Sequence, residues 1–76
     1  MSNYEKFKTS YFFLKRSVSE NTTNTPEFYY HLGLLVGLGH CLSAIDTTNN
    51  SLIKAAQELN YQELFKLAEY ILGIYQ

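Results

Sequence analysis

A run of eighteen residues without Asp, Glu, Lys or Arg, Phe28 to Ile45, constrains this 76-residue chain more than any other feature. A helix formed by such a run is apolar around most of its circumference, because no charge marks a solvent-facing side. Helices of this kind occur at the centre of a helical bundle or across a membrane. The run therefore predicts one long, buried helix over residues 27–45 that the rest of the chain has to cover.

The membrane alternative is disfavoured by the length and the flanks of this run. A membrane-spanning helix needs about 20 strongly apolar residues and usually has basic or aromatic residues at its ends. Here the flanking residues are Glu27 and Asp46, and the run contains two His, three Gly and one Ser. We therefore expect the helix to lie inside a soluble bundle, and we do not expect a membrane partner.

The glycines inside the run predict close contact with another helix. A glycine in a helix interior costs about 1 kcal/mol relative to alanine, so some packing advantage should compensate for it. Gly33 and Gly37 share a narrow face with His40 and Ala44, and small residues four apart let two helix backbones approach closely. The alternative is a helix break near Gly37-Leu38-Gly39. We predict one continuous helix.

The first helix is predicted over residues 3–19. Phe12 and Phe13 lie outside its apolar stripe, one at the flank and one roughly opposite. Two phenylalanines outside the core stripe predict contact with a neighbouring helix or with another chain. The stripe itself has alternating spacings of three and four and consists of Tyr4, Phe7, Tyr11, Leu14 and Val18.

Capping residues divide the rest of the chain. Thr25-Pro26-Glu27 combines a good N-cap, a proline suited to the first helical position and an acid at the positive end of the helix dipole. The segment 46–50 (DTTNN) is rich in turn residues and predicts a turn. The apolar stripe then changes phase near Asn60, which forms a capping-box pattern with Glu63. The two stripes are Leu52, Ala56 and Leu59, followed by Tyr61, Leu64, Ala68, Ile71 and Tyr75.

These patterns predict an all-α fold and a single domain over residues 1–76. The domain is a small three- or four-helix bundle with the second helix buried at its centre. The predicted helices cover residues 3–19, 27–45, 51–59 and 61–75. No segment shows the alternation of a half-buried strand.

Residues able to perform catalysis or hold a metal are few. Cys41 is the one cysteine, which excludes an intrachain disulfide, and its apolar neighbours predict a buried, unreactive thiol. Its neighbour His40 diverges from it by about 100° on a helix, so the pair cannot form a nucleophilic dyad. His31 lies about 13 Å from His40 along the helix axis, on the opposite side. We expect no enzymatic activity, no cofactor and no metal, unless a symmetric dimer shares a metal site.

The distribution of charge along the chain leaves nucleic-acid binding as an alternative function, although the net charge disfavours it. The net charge is −1, because four basic and two acidic residues in 1–25 are offset by two basic and five acidic residues in 26–76. A near-neutral chain lacks the basic surface that nucleic acids require. The alternative is a small transcriptional regulator that uses the basic first helix or the helix-turn-helix-like C-terminal part. Its basic residues on the first helix are Lys6, Lys8, Lys15 and Arg16.

The size and aromatic content of the chain favour binding to another protein. A domain of this length buries only about 60 % of its unfolded surface and usually needs a disulfide, a metal or a partner. Aromatic residues make up 16 % of the chain, and they are enriched in the cores of interfaces. The apolar residues left outside the stripes or on the glycine face are Phe12, Phe13, Gly33, Gly37, Leu67, Tyr70 and Ile74.

We therefore predict a non-enzymatic protein-protein interaction module that forms a homodimer. Its expected role is that of a regulator, an inhibitor or a chaperone-like accessory protein, which buries an aromatic and aliphatic helix face on its partner. The N-terminal segment lacks the apolar stretch of a signal peptide, which predicts a cytoplasmic protein. The abundance of Asn, Thr and Tyr is typical of bacterial and phage accessory proteins.

Overall fold

The computed structural model describes residues 2–74, and for Ile74 it describes the backbone alone. Within that range the chain forms four helices and no strand, as the sequence predicts. They are α1 (Asn3–Ser19), α2 (Pro26–Leu42), α3 (Asp46–Gln57) and α4 (Tyr61–Ile74). None of the helices described between residues 2 and 74 combines the length and the hydropathy needed to cross a membrane.

The four helices form two layers. α2 contacts α1 and α3, whereas no contact joins α1 to α3 among the described residues, so α1 and α3 lie on opposite sides of α2. α4 contacts all three of the other helices and therefore packs across one side of this three-helix layer. The principal dimensions of 31 × 27 × 17 Å fit three helices side by side and two layers deep, at the usual spacing of about 8–10 Å.

The core lies between α4 and the three-helix layer. α2 takes the predicted central position and contributes Phe28 and Leu35, both fully buried. α4 covers them with Leu64, Ala68 and Ile71, each fully buried. The stripe predicted for α1 is confirmed, with Tyr4 and Val18 partly buried at its ends and the other three residues buried. Those three residues are Phe7, Tyr11 and Leu14.

The predicted capping residues delimit α2 and α4. Thr25 accepts a hydrogen bond from the backbone N–H of Phe28 at 3.2 Å, and Pro26 is the first residue of α2. Asn60 accepts one from the backbone N–H of Glu63 at 3.4 Å and precedes α4. α2 continues without a break through Gly37 and Gly39, as predicted. Local side-chain chemistry therefore sets where these two helices begin.

The turn predicted over residues 46–50 is wrong, because α3 begins at Asp46 instead of 51. The side-chain amide of Asn49 donates a hydrogen bond to the backbone carbonyl of Ser43 at 3.2 Å. Its backbone N–H donates to the carbonyl of Ile45 at 3.1 Å. Low helix propensity is a weak preference that such local hydrogen bonds and packing override. The first turn of α3 is therefore held by Asn49.

Two other boundaries differ from the prediction. α2 ends at Leu42 instead of residue 45, and Ile45, which was expected on its apolar face, is 44 % exposed. α3 ends at Gln57 instead of residue 59. Leu59, expected on the stripe of the third helix, is 42 % exposed and has φ 52°. A left-handed residue cannot continue a right-handed helix, so Leu59 belongs to the turn between α3 and α4.

The folded chain closes its core without a partner. It exposes 4762 Å² of surface, close to the roughly 4,800 Å² expected of a folded monomer of its mass. Compactness therefore does not require a second chain. A partner has to be inferred from which residues the surface carries.

Candidate protein-binding surface

The side of α2 that points away from α4 is uncovered. α1 and α3 flank α2 and α4 packs on its buried side, so the fourth side of α2 faces solvent. Tyr29 and Tyr30 are the largest residues there, with exposed fractions of 50 % and 64 %. We call this surface the outer face of α2, and it consists of the exposed residues Tyr29, Tyr30, Gly33, Gly37, His40 and Cys41.

Shallow grooves extend the outer face of α2 sideways onto both flanking helices. Towards α3, the far wall is formed by Ile53, Ala56 and Gln57. Towards α1, it is formed by Lys6 and Thr9. The centre is thus composed of aromatic and small residues, while charged and amide groups lie at the edges. An apolar centre with a polar rim is the usual arrangement of a protein interface.

Gly33 and Gly37 are not needed for packing within the chain. A Cβ atom built on either residue would meet no atom within 4 Å. A Cβ atom on Gly39 would collide with Leu52 and would lie 3.5 Å from the ring of Phe7. Within the chain, a close helix approach therefore occurs at Gly39 and not at Gly33 and Gly37, whose spacing predicts it. Gly33 and Gly37 each forgo about 1 kcal/mol of helix stability without a compensating contact in the chain.

Two of the predicted contact residues are exposed on other helices. Phe12 on α1 is 55 % exposed, and Tyr70 on α4 is 51 % exposed. The Phe12 ring packs edge-on against Tyr11, which in turn contacts Phe65 of α4. These two aromatics therefore lie apart from the outer face of α2, and the predicted set does not form one surface.

The remaining predicted contact residues differ in burial. Gly33 and Gly37 lie on the outer face of α2. Phe13 is half-buried against the His31 ring, with 4.1 Å between the ring centroids, so its neighbour is α2 of the same chain. Leu67 is half-buried against the core. The side chain of Ile74 lies outside the described residues.

Tyr29 and Tyr30, the two largest residues of the outer face, are not among the contact residues predicted from the sequence. A signal for Tyr29 was available, because it precedes Gly33 and Gly37 by four and eight residues and therefore lies on nearly the same side of a helix. Tyr30, four residues before Leu34, lies beside the line that Tyr29, Gly33 and Gly37 form along the helix. The sequence does not show which side of α2, a helix without charged residues, is covered by α4.

Cys41 is exposed, so the prediction of a buried thiol is wrong. Cys41 lies in an apolar run, but the leucines of that run that are buried lie on the opposite side of α2, towards α4. Leu35 and Leu42 lie on that buried side. The exposed thiol on the outer face provides a chemical probe of whether this face is covered.

A serine and a histidine meet between α1 and α2. Ser10 Oγ lies 3.1 Å from Nδ1 of His31. Ser10 is only 1 % exposed, so its hydroxyl is not presented to a substrate as a catalytic nucleophile would be. The contact satisfies a buried hydroxyl group and links the two helices. Across the described part of the chain, no three His, Cys, Asp or Glu residues are grouped closely enough to hold a metal ion.

The basic residues of α1 are spread around the helix. Lys15 lies 3.7 Å from Glu69 of α4, and Arg16 lies 3.3 Å from Glu20. Lys6 borders the groove towards α2 instead. Contacts with phosphates need several free cations on one side. Lys15 and Arg16 are each paired with a carboxylate instead, which weakens the nucleic-acid alternative.

A polar cluster joins α1 to α4. The Tyr11 hydroxyl donates a hydrogen bond to the carboxylate of Glu69 and accepts one from Lys15 Nζ at 3.2 Å. Burial raises the pKa of the Tyr11 phenol, and the hydrogen bond to Glu69 raises it further, while Lys15 acts in the opposite direction. The same hydrogen bond from Lys15 to Tyr11 raises the pKa of Lys15.

The Tyr11 cluster predicts a loss of stability in alkaline solution. Because folding raises the pKa of Tyr11 above its ordinary value of 10.0, its contribution is complete below about pH 10 and is lost as the pH rises through the folded pKa. We expect the free energy of unfolding to fall there by at most about 1.4 kcal/mol per pH unit for this group. Urea unfolding measured from about pH 8 to 11 gives this slope.

Tyr11→Phe should lower stability by about 1 kcal/mol at neutral pH and make the alkaline slope shallower. Tyr70→Phe, which removes a half-exposed phenol from α4, is the control and should keep the original slope. An alkaline slope that Tyr11→Phe leaves unchanged would contradict the assignment.

No protein-family model matches this chain, and the searches of curated proteins and of solved structures gave no match either.

Proposed function

We propose that this chain is a non-enzymatic protein-protein interaction module of the cytoplasm that binds its partner through the outer face of α2. The observation that carries the proposal is the uncovered central helix. It exposes two tyrosines beside two glycines whose small size serves no contact inside the chain. A soluble protein rarely leaves such a surface open unless something binds it.

The mechanism is burial of a helix face against an apolar partner surface. Tyr29 and Tyr30 supply large, rigid rings, the type of residue that dominates binding free energy when it becomes buried. Gly33 and Gly37 have no side chains, which leaves a shallow trough next to these rings. The backbone of the partner can therefore approach α2 closely. Polar groups such as Gln57 and Lys6 at the groove edges form a polar, solvent-accessible rim around this centre.

This mode of binding suits a regulator, an inhibitor or a chaperone-like accessory protein. Each of these roles needs a surface that associates with another chain and no reaction of its own. The polar residues that do meet, Ser10 with His31 and Tyr11 with Glu69, join helices to one another. They therefore contribute to the scaffold on which the outer face of α2 is displayed.

The reactivity of Cys41 tests the proposal. We expect a bulky maleimide to label Cys41 quickly in dilute purified protein, because the thiol is exposed. Labelling should slow about tenfold or more when a partner covers the outer face, because a bound-to-free ratio of about ten, which corresponds to about 1.4 kcal/mol, leaves only roughly one thiol in ten free to react. The rate is measured in dilute protein, in concentrated protein and in soluble extract of the source cells.

A matched control has its thiol on α4, which does not contribute to the outer face of α2. In the Cys41→Ser background, Gln62→Cys introduces an exposed cysteine on α4, and its labelling rate should stay the same in all three conditions. If Cys41 also keeps one rate in all three conditions, the outer face of α2 is not a binding surface and the proposal is wrong.

A further inference from the structure

The imidazole ring of His31 is held in place between α1 and α2. Its Nδ1 atom lies 3.1 Å from Ser10 Oγ. The ring also packs on Phe13, with 4.1 Å between the centroids, and the Tyr30 ring meets it nearly edge-on at 5.2 Å. A hydrogen bond at one ring nitrogen, together with two packed rings, fixes the orientation of the other nitrogen, Nε2.

The contact with Ser10 also decides which nitrogen of His31 carries the proton. Ser10 is 1 % exposed, and within the described residues its hydroxyl group has one hydrogen-bond partner, Nδ1 of His31. A buried O–H donor that lacks an acceptor is costly, so Ser10 donates to Nδ1. A neutral imidazole that accepts at Nδ1 carries its proton on Nε2. His31 is therefore a hydrogen-bond donor at Nε2.

This Nε2 donor is accessible to solvent. In the described part of the chain, Asn49 Oδ1 is the one buried side-chain atom without a hydrogen-bond partner. Nε2 of the half-buried His31 has no partner there either, so it cannot be a buried atom and must reach solvent. His31 lines the groove between α1 and α2. A free hydrogen-bond donor is therefore available at this groove.

The groove between α1 and α2 has a positive group and no carboxylate on its walls. Its lining residues are Lys6, Thr9, Ser10, Tyr30, His31 and Leu34. Lys6 lies one turn before Ser10 and therefore on the same side of α1. Two other polar grooves of the described surface each combine a cation with two carboxylates, from Glu20 and Glu27 in one and from Glu58 and Glu63 in the other. The groove at His31 is thus complementary in charge to an anion.

The size and the walls of the groove indicate an anion with a single ring. Pockets for drug-sized ligands have volumes of about 300–1,000 Å³, so a groove of about 260 Å³ suits a smaller molecule. Tyr30, which is 64 % exposed, and the half-buried Leu34 form apolar walls beside the donors. A planar ring packs well against a tyrosine ring, either offset or edge-on. An aromatic carboxylate combines such a ring with a charged acceptor group.

We propose that the groove between α1 and α2 binds a small aromatic carboxylate. Nζ of Lys6 and Nε2 of His31 donate hydrogen bonds to the carboxylate oxygens, with the Thr9 hydroxyl beside them. The ring of the bound molecule lies against Tyr30 and Leu34. Hydrogen bonds to a charged acceptor are roughly twice as strong as neutral ones. The inference goes beyond the proposed function and does not depend on it, because this site needs no protein partner.

Titration of the full-length protein with benzoate, followed by proton–nitrogen correlation NMR at constant ionic strength, tests the proposal. We expect saturable shifts of the backbone amides of residues 6–10 and 30–34, with a dissociation constant on the order of 1 mM. Benzamide has the same shape without the charge, and acetate has the charge without the ring. Each should bind about tenfold more weakly or worse. Equal affinity for either compound, or no saturable shift with benzoate, would overturn the proposal.

Two matched lysine variants locate the binding site. Lys6→Met removes the ammonium group at the groove, whereas Lys66→Met removes one from α4, and both positions are exposed. The two variants change the net charge equally, and circular dichroism should show both folded. Lys6→Met should raise the dissociation constant for benzoate about tenfold, and Lys66→Met should leave it unchanged. Equal weakening by the two variants would show that benzoate responds to net charge alone and would refute the site.

The tautomer of His31 provides a separate test. Long-range proton–nitrogen spectra of the neutral imidazole distinguish a proton on Nε2 from one on Nδ1. We expect the proton on Nε2 in the wild-type protein, and benzoate should shift the Nε2 signal. A proton on Nδ1 would instead leave a lone pair on Nε2, which repels a carboxylate, and the proposal would then be wrong.

Discussion

Phe28→Ala should lower the free energy of unfolding by about 3–5 kcal/mol. Phe28 is fully buried and lies in the first turn of α2, where its ring packs edge-on against Tyr29 and Tyr61, at 5.6 and 5.8 Å between centroids. Truncation removes its buried area and leaves a cavity between α2 and α4. A domain of this length has about 4–11 kcal/mol of total stability, so the variant should lose a large part of it and unfold at a much lower urea concentration.

The control for Phe28→Ala is Phe12→Ala, which deletes the same side chain from an exposed position. We expect its free energy of unfolding to change by less than about 1 kcal/mol, because the substitution removes mainly the edge-on contact with Tyr11. Urea unfolding followed by far-UV circular dichroism measures both variants. Similar losses in the two variants would contradict the burial of Phe28 and the exposure of Phe12.

Alanine substitutions of the glycines in α2 should have opposite signs. Gly39→Ala should destabilise the fold, since overpacking against Leu52 costs about 1–3 kcal/mol and the gain in helix propensity returns about 1 kcal/mol. Leu52 has little room to move, because it is itself fully buried. Gly33→Ala should instead stabilise the monomer by up to about 1 kcal/mol, because its Cβ atom meets no atom within 4 Å.

Thermal and urea unfolding of dilute protein provide the comparison, since dilution removes any contribution from association. Both variants replace a glycine of α2 with alanine, so the difference between their free energies of unfolding isolates the packing at Gly39. A stabilising Gly39→Ala, or a destabilising Gly33→Ala at low concentration, would contradict the helix packing described here.

The predictable parts of the fold are those that depend on local chemistry. Thr25 and Asn60 cap helices as their side chains allow, and the three- and four-residue spacing along α1 marks the side that becomes buried. The start of α3 was not predictable, because Asn49 is a poor helix former that is held by a hydrogen bond to Ser43, six residues earlier.

The candidate site was predictable in part. Gly33 and Gly37 were identified from their spacing, whereas Tyr29, Tyr30 and Cys41 were not. A helix without charged residues carries no polar side to show which residues face water. The position of α4 decides this, and the position of α4 follows from packing over the whole chain. Burial on α2 therefore could not be assigned from the pattern of α2 alone.

The position of α4 also affects the chain while the ribosome is still making it. α4 contacts each of the other helices and is synthesised after them. Until it emerges, α1, α2 and α3 have neither of their broad sides covered, so Leu35 on one side and Tyr30 on the other both face solvent. A nascent chain at that stage exposes more apolar surface than the finished protein and is more prone to aggregate. Docking of α4 ends this stage and makes the two sides of α2 different.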